Sequence, residues 1–235
     1  LPNGHIIPSI LAGNTVVFKP SELTPQVAEI MGQCWTQAGL PDGVLNIVQG
    51  ARETGAALLD AKIDGLLFTG SAATGTFFHK HFAGRPEVIL ALEMGGNNPL
   101  IIQDPVDVDA AAELAFMSGF ITAGQRCTCA RRLIVPDTAK GEAIIEAVAN
   151  FIDRMTLGAW NEEATIGPLV SADIAGHVVK NANGLGGKAI RAASISDKGD
   201  AYVTPGFYDV TGVEVPDEEI FGPVLCVVRA NSYAE

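Results

Sequence analysis

The sequence has 235 residues, enough for one large domain or two small ones, and its 48% hydrophobic against 18% charged residues exclude a disordered chain. The net charge of -12 is opposite in sign to that of a nucleic-acid-binding protein. No apolar run approaches the roughly 18 residues of a membrane helix. Four scattered cysteines are too few for a disulfide scaffold. With no segment that resembles a signal peptide, we expect a cytoplasmic protein without nucleic-acid or membrane partners.

Short apolar or β-branched runs alternate with helix-length segments along the chain. The predicted strands cover residues 14–18, 44–48, 65–69, 88–92, 99–102, 133–135, 189–192, 208–213 and 224–228. The predicted helices cover residues 25–38, 53–61, 72–82, 107–123, 142–155 and 171–182. Because strands and helices alternate with short connections, we expect an α/β fold with a doubly wound parallel sheet. A glycine pair breaks the pattern at Gly95, which predicts two domains, residues 1–93 and 94–235.

Two strand ends carry residues suited to a nucleotide, because ligands of doubly wound sheets bind at the carboxyl ends of strands. Lys19 and Glu22 follow the first strand and can hydrogen-bond the two hydroxyls of a ribose. Ser71 opens a helix after the third strand, where N–H groups and the positive end of the helix dipole suit a pyrophosphate. Each motif alone has a plain alternative, a solvated turn or an ordinary serine-capped helix.

Two further motifs could supply a base and a nucleophile. Glu93 ends the fourth strand, and burial in a cleft would suit it to general base work, although a surface carboxylate before a turn is the alternative. Cys127 lies beside Arg126 and shortly before Arg131 and Arg132, cations that favour a thiolate.

The other cysteines and the histidines do not predict a metal site. Cys34, Cys129 and Cys226 are expected to pack in the core, as apolar cysteines usually do. A single Cys-x-Cys pair is not a zinc site. His79 and His81 are two residues apart on a helix and point to different faces, so a shared metal is not expected.

In their order and spacing these motifs resemble the NAD(P)-dependent aldehyde dehydrogenase superfamily along the whole chain. The matching segments are residues 12–22, 68–75, 93–96, 124–127 and 219–223. The resemblance implies a Rossmann-type dinucleotide-binding domain followed by an α/β catalytic domain, both incomplete. Residues 1–5, 93–99 and 125–132 are similar to the branch that oxidises N-succinylglutamate 5-semialdehyde in bacterial arginine catabolism.

The resemblance assigns the chemistry to two residues. Cys127 would attack the aldehyde carbon as a thiolate to give a thiohemiacetal, and hydride transfer to the nicotinamide would leave a thioester. Glu93 would activate the water that hydrolyses the thioester. Two other functions stay open: an acylating relative that passes the thioester to coenzyme A, and a non-catalytic assembly protein that reuses the fold.

The resemblance also implies the cofactor site. Its residues would be Lys19, Ser21, Glu22, Thr69, Gly70, Ser71, Gly75, Glu219 and Phe221. Lys19 and Glu22 would hold the adenosine ribose, and Ser71 the pyrophosphate. Glu219 would hold the nicotinamide ribose, and Phe221 would pack near the nicotinamide ring. The negative charge of Glu22 would repel a 2′-phosphate, which favours NAD over NADP.

The substrate contacts predicted from the resemblance are few. Arg126, Thr128 and Arg131 are the candidates, and structural ion pairing is the alternative for the arginines. The family's oxyanion donor is an asparagine side chain expected upstream of Leu1. The resemblance therefore implies that the chain is a fragment of a longer enzyme, a homodimer or homotetramer in its full-length form.

Overall fold

The computed structural model describes residues 2–232 and residue 234. The chain divides into two compact units, Leu1–Met94 and Gly95–Glu235, which we call unit 1 and unit 2. Among the described residues, no helix combines the length and the hydropathy needed to cross a membrane.

Unit 1 is built from alternating helices and strands. Its elements are α1 (Pro2–Leu11), β1 (Val16–Phe18), α2 (Pro25–Gln37), β2 (Leu45–Ile47), α3 (Arg52–Asp60), β3 (Gly65–Gly70), α4 (Ala72–His81) and β4 (Ile89–Met94). Strand β1 pairs in parallel with β2, and β3 pairs in parallel with β4. Within the described residues no strand joins these two pairs.

Local sequence signals set the ends of the unit 1 helices. Helix α2 starts with Pro25, whose fixed φ suits the first helical position, and Gly39 follows its end with a φ of +85°. Helix α4 starts after Ser71, whose hydroxyl accepts a hydrogen bond from the N–H of Thr74. The core of unit 1 is small and centres on Leu59, Phe82 and Val88.

Unit 2 holds a five-stranded sheet and three helices among its described residues. Its elements are β5 (Pro99–Ile101), α5 (Val108–Phe120), a 3-10 turn (Ile121–Gly124), β6 (Arg132–Pro136), α6 (Ala139–Asp153), α7 (Ala172–Asn183), β7 (Lys188–Arg191), β8 (Ser194–Ile195), β9 (Val203–Thr204), β10 (Gly206–Asp209) and β11 (Val224–Ala230). The strand order is β5-β6-β11-β10-β7. Only the β10–β7 pairing in this sheet is antiparallel. Strands β8 and β9 form a separate antiparallel pair.

Side chains alternate between the two faces of the unit 2 sheet, and helices pack against both faces. Phe207 and Leu225 pack in a cluster with α5 and α6. Their neighbours Tyr208 and Val224 pack in a second cluster with α7. The sheet therefore lies between two layers of apolar packing.

The predicted α/β class with parallel strand pairing is confirmed, but several elements differ, and strands β8 and β9 were not predicted. Helix α1 was not predicted at all. The helix predicted for residues 107–123 ends at Phe120, because Thr122 and Ala123 have positive φ angles. The strand predicted for residues 208–213 covers Gly206–Asp209.

The prediction for Cys34 was wrong, because this side chain is exposed rather than packed in the core. Helix α2 has only one buried residue, Ala28, and Val27 and Ile30 are exposed as well. The two short strands of the β1–β2 pair are too narrow to cover the whole apolar stripe of the helix. Cys129 is buried as expected.

Candidate functional site

The candidate nucleophile follows a strained turn in unit 2. Thr122, Ala123 and Gly124 have φ angles of +54°, +55° and +68°. A β-branched threonine rarely adopts this left-handed conformation, and such strain persists only where surrounding contacts impose it. The turn ends α5 and places Cys127, which is partly exposed, on the loop that leads to β6.

Side-chain hydrogen bonds connect the loop of Cys127 to distant segments. The side-chain amide of Asn98 donates to the carbonyl oxygens of Cys127, at 2.6 Å, and of Cys129, at 3.0 Å. Gln125 Nε2 donates to the carbonyl of Pro168 at 3.3 Å, and Gln125 Oε1 accepts from the N–H of Val170 at 3.0 Å. These hydrogen bonds hold the loop in place.

Arg131 is buried, which argues against its expected contact with substrate. Its guanidinium lies within 3.1 Å (Nε) and 2.9 Å (Nη2) of Glu219 Oε1, and the side chain is 3% exposed. The structure thus favours the alternative for this residue, structural ion pairing, and corrects its assignment as a substrate residue. Arg126 and Thr128 are exposed, so they remain predicted substrate contacts.

The predicted nicotinamide residues, Glu219 and Phe221, lie beside Arg131. The Glu219 carboxylate packs on Gly95, where a Cβ would lie 1.7 Å from Oε2 and would force the carboxylate to shift. Phe221 is 41% exposed, and its ring centre is 5.4 Å from the Arg131 guanidinium carbon. The structure therefore brings the loop of Cys127 and the segment of Glu219 together through Arg131.

The predicted ribose residues lie after β1 in unit 1. Lys19 Nζ donates to the carbonyl oxygens of Pro20 and Gly50 at 2.7 and 2.8 Å, and it lies 3.7 Å from Glu22 Oε2. The Glu22 side chain is 55% exposed. Ser21 Oγ accepts from the N–H of Leu23 in the same turn. Lys19 is thus held in place, and the carboxylate of Glu22 is accessible to a ligand.

The predicted phosphate turn and the candidate base lie on neighbouring strands of unit 1. Thr69 pairs in register with Glu93, and its hydroxyl lies 3.2 Å from His5 Nε2. Ser71 is exposed at the start of α4.

Two glycines of this turn are packed closely. A Cβ on Gly70 would lie 2.4 Å from the ring of Phe68, and one on Gly75 would lie 2.2 Å from the sulfur of Met94. Larger residues at either position would displace these side chains.

Glu93 is exposed, so the cleft burial expected for it is not present in this chain. It is the penultimate residue of β4, paired with Thr69 of the parallel strand β3 just before both strands end. Glu93 remains the predicted base, without the burial that the sequence suggested.

Sequence reasoning missed the contacts that hold the Cys127 loop. Asn98 donates hydrogen bonds to residues about 30 positions later in the chain, and Gln125 bonds to a segment more than 40 residues away. Their polar side chains give no local signal of such partners. Only their place inside motifs of the family could have drawn attention to them.

Cys226 lies on β11, outside the candidate site. Burial raises the pKa of the Cys226 thiol to about 11, although Arg132 opposes this. Cys226 is partly buried and packs against the apolar cluster that contains Tyr208 and Val224, as predicted. Across the part of the chain that the structure describes, no group of three His, Cys, Asp or Glu side chains is placed to hold a metal ion.

Comparison with known proteins identifies one family. The sequence profile of the family described as "Aldehyde dehydrogenase family" matches residues 1–235. The chain is 54% identical over 238 residues to N-succinylglutamate 5-semialdehyde dehydrogenase from Caulobacter sp. (strain K31), covering 100% of this chain and 49% of that protein. It is 53% identical over 242 residues to the protein of the same name from Cronobacter sakazakii, again covering 100% and 49%. The chain spans about half the length of the curated relatives it matches.

A solved structure shares the fold. The structure of 1-pyrroline-5-carboxylate dehydrogenase from Thermus with bound NAD superimposes with a TM-score of 0.89 at 31% identity. The match covers 98% of this chain and 47% of that chain.

Proposed function

Because the chain belongs to the aldehyde dehydrogenase family, we propose that the protein oxidises N-succinyl-L-glutamate 5-semialdehyde to the carboxylate with NAD. The observation that carries this proposal is the identity of 52–55% with relatives named for that substrate, over 99–100% of this chain. In this proposal unit 1 belongs to the NAD-binding domain and unit 2 to the catalytic domain.

The chain offers residues that fit a dinucleotide. The exposed first turn of α4, opened by Ser71, presents N–H groups that have no partner inside the helix and so suit a pyrophosphate. Glu22 can accept hydrogen bonds from the adenosine ribose beside Lys19. Its negative charge would repel a 2′-phosphate, which supports NAD over NADP. Bound NAD would supply the hydride acceptor.

Cys127 acts as the nucleophile in this proposal. Its thiolate attacks the aldehyde carbon and forms a thiohemiacetal, and loss of hydride converts this adduct into a thioester on the same sulfur. The anchored loop keeps the sulfur in one place, which is the contribution that positioning makes to such a step. Arg126 and Thr128, exposed on either side of Cys127, would contact a carboxylate of the substrate.

Glu93 acts as the general base for hydrolysis. It takes a proton from the water that attacks the thioester carbonyl, and the carboxylate product leaves as Cys127 regains its thiolate. Glu219 and Phe221 would hold the nicotinamide ribose and ring. We further propose that the full-length protein is a cytoplasmic homodimer or homotetramer.

The test is NADH formation by the full-length protein with succinylglutamate, glutamate and succinate semialdehydes. We expect the succinylglutamate compound to react with the highest kcat/KM, and similar values for all three would contradict the substrate assignment. Cys127→Ala should abolish the activity, whereas Cys34→Ala, at an exposed cysteine of unit 1, should leave it unchanged.

The role of Glu93 has a separate test. Glu93→Gln should slow hydrolysis of the thioester, so that labelled acyl group accumulates on Cys127.

If coenzyme A is required for turnover and an acyl-coenzyme A is the product, the protein is instead an acylating relative.

A further inference from the structure

Arg131 uses its whole guanidinium on partners inside unit 2. Beyond the ion pair with Glu219, Nη1 donates to the carbonyl of Gly222 at 3.1 Å. Nη2 donates to the carbonyls of Gly124 at 2.7 Å and Arg126 at 3.3 Å. These acceptors lie on two segments, residues 124–126 just before Cys127 and residues 219–222. One buried side chain therefore joins the two.

The two segments also touch through their backbones. A Cβ on Gly124 would lie 2.0 Å from the carbonyl oxygen of Gly222, so only glycine permits this approach. Gly124 is the last of the three residues with positive φ. Such a strained turn persists only when surrounding contacts stabilise it. Arg131 provides one of these contacts, because it donates to the carbonyl of Gly124 at the end of the turn.

We propose that Arg131 is a positioning residue that holds the Cys127 loop and the Glu219 segment in fixed positions relative to each other. Because the same guanidinium binds the carboxylate and the loop carbonyls, a displacement of Glu219 would also shift the loop. This positioning role concerns the site of the proposed function. Its expected effect on kcat rests on that function, whereas its expected effect on hydrogen exchange does not.

An arginine suits this role better than a lysine would. Its planar fork offers five N–H donors in fixed directions, whereas an ammonium group has three donors on a single atom. The Arg131 side chain must reach three carbonyls and a carboxylate together, and its face is also covered by the ring of Phe221. Lysine keeps the charge but cannot meet this geometry.

The experiment measures amide hydrogen exchange of the cofactor-free full-length protein, with kcat and KM measured in parallel. In Arg131→Met we expect residues 122–127 and 219–222 to exchange about tenfold faster, because hydrogen bonds to a charged group are lost. We expect kcat to fall about 100-fold, as small misplacements of a reacting group do. KM for the aldehyde should change much less than kcat. Arg131→Lys should show the same pattern with smaller changes.

The matched control is Arg229→Met. Arg229 is another ion-paired arginine of unit 2, bonded to Asp209 and Glu142 rather than to either segment. Its loss should leave exchange at residues 122–127 and 219–222, and kcat, near wild-type values.

Wild-type exchange at both segments in Arg131→Met, or equal effects of Arg229→Met on them, would overturn the positioning role. A wild-type kcat in Arg131→Met would overturn it as well. If the wild-type protein oxidises no aldehyde but Arg131→Met still loosens both segments, the proposed function fails and the link stands.

Discussion

Tyr208 joins two polar groups with one hydroxyl, the buried N–H of Ala193 and the side chain of Asn183. Its hydroxyl donates to Asn183 Oδ1 at 2.7 Å and accepts from the N–H of Ala193 at 2.8 Å. Burial raises the pKa of this phenol, so the hydroxyl keeps its proton. Tyr208→Phe would leave the buried N–H of Ala193 without its acceptor. We expect the free energy of unfolding, measured with urea, to fall by about 1–3 kcal/mol.

Tyr202→Phe is the matched control for this change. Its hydroxyl makes no hydrogen bond to another described residue, and its ring packs near Gly199. The same loss of stability in both variants would mean that the Tyr208 hydroxyl contributes nothing specific.

At the scale of elements, two helices begin in the same way but are assigned different roles. Ser71 caps α4 and Ser171 caps α7, each by accepting a hydrogen bond at 3.3 Å from the N–H three residues on. Each Ser→Ala change should cost about 1 kcal/mol of stability. Only Ser71→Ala should weaken NAD binding, measured by titration calorimetry, because only α4 is proposed to hold the pyrophosphate. Equal weakening by Ser171→Ala would refute that assignment.

An ion-pair network ties α6 to strands β10 and β11. Arg229 lies 2.8 Å from Asp209 and 2.7 Å from Glu142. Burial raises the pKa of Asp209, but hydrogen bonds from Arg229 and Thr211 outweigh it, and the net pKa is below the ordinary value of 3.8. A depressed pKa gives stability that is present above the unfolded-state pKa and is lost as the pH falls through the folded-state pKa.

Asp209→Asn should therefore lower the midpoint of thermal unfolding at pH 7, and this difference from wild type should shrink below about pH 4. A series of melts between neutral and acidic pH measures the effect. Asp200→Asn removes an exposed aspartate and should show no such dependence. A difference for Asp209→Asn that stays constant with pH would contradict the argument.

The elements were predictable where the sequence carries its own boundary signals. Pro25 and Gly39 bracket α2, and Ser71 and Ser171 start α4 and α7. Helix α1 contains Pro8, which disfavours a helix interior, and forms nonetheless while burying Ile6. Tertiary packing thus overrides local propensity there.

The site was predictable as a set of motifs but not as a set of contacts. The residue types at Cys127 and Glu219 are visible in the sequence. The left-handed turn at Thr122 and Ala123 is not, because neither residue prefers that conformation. Arg131 and Glu219 are 88 residues apart, and nothing near Arg131 shows that its charge is neutralised inside the fold.

At the scale of the whole molecule, the two units differ in how much core they contain. The buried hydrophobic residues of unit 1 among those described are Ile6, Ala28, Leu59, Phe82 and Val88. Unit 1 also exposes large apolar side chains on several of its helices and strands, among them Leu11, Val17, Val27, Ile30 and Ile89. Unit 2 has two clusters that cover both faces of a five-stranded sheet.

This asymmetry predicts different behaviour for the two units as separate chains. Residues 95–235 should unfold cooperatively in urea and show near-ultraviolet circular dichroism, because their core is closed on both faces of the sheet. Residues 1–94 should retain helical far-ultraviolet signal but bind a hydrophobic dye and unfold without a sharp transition, since two-stranded sheets with little core are marginal alone. A cooperative transition of residues 1–94 as sharp as that of residues 95–235, without dye binding, would show that the small core of unit 1 is sufficient.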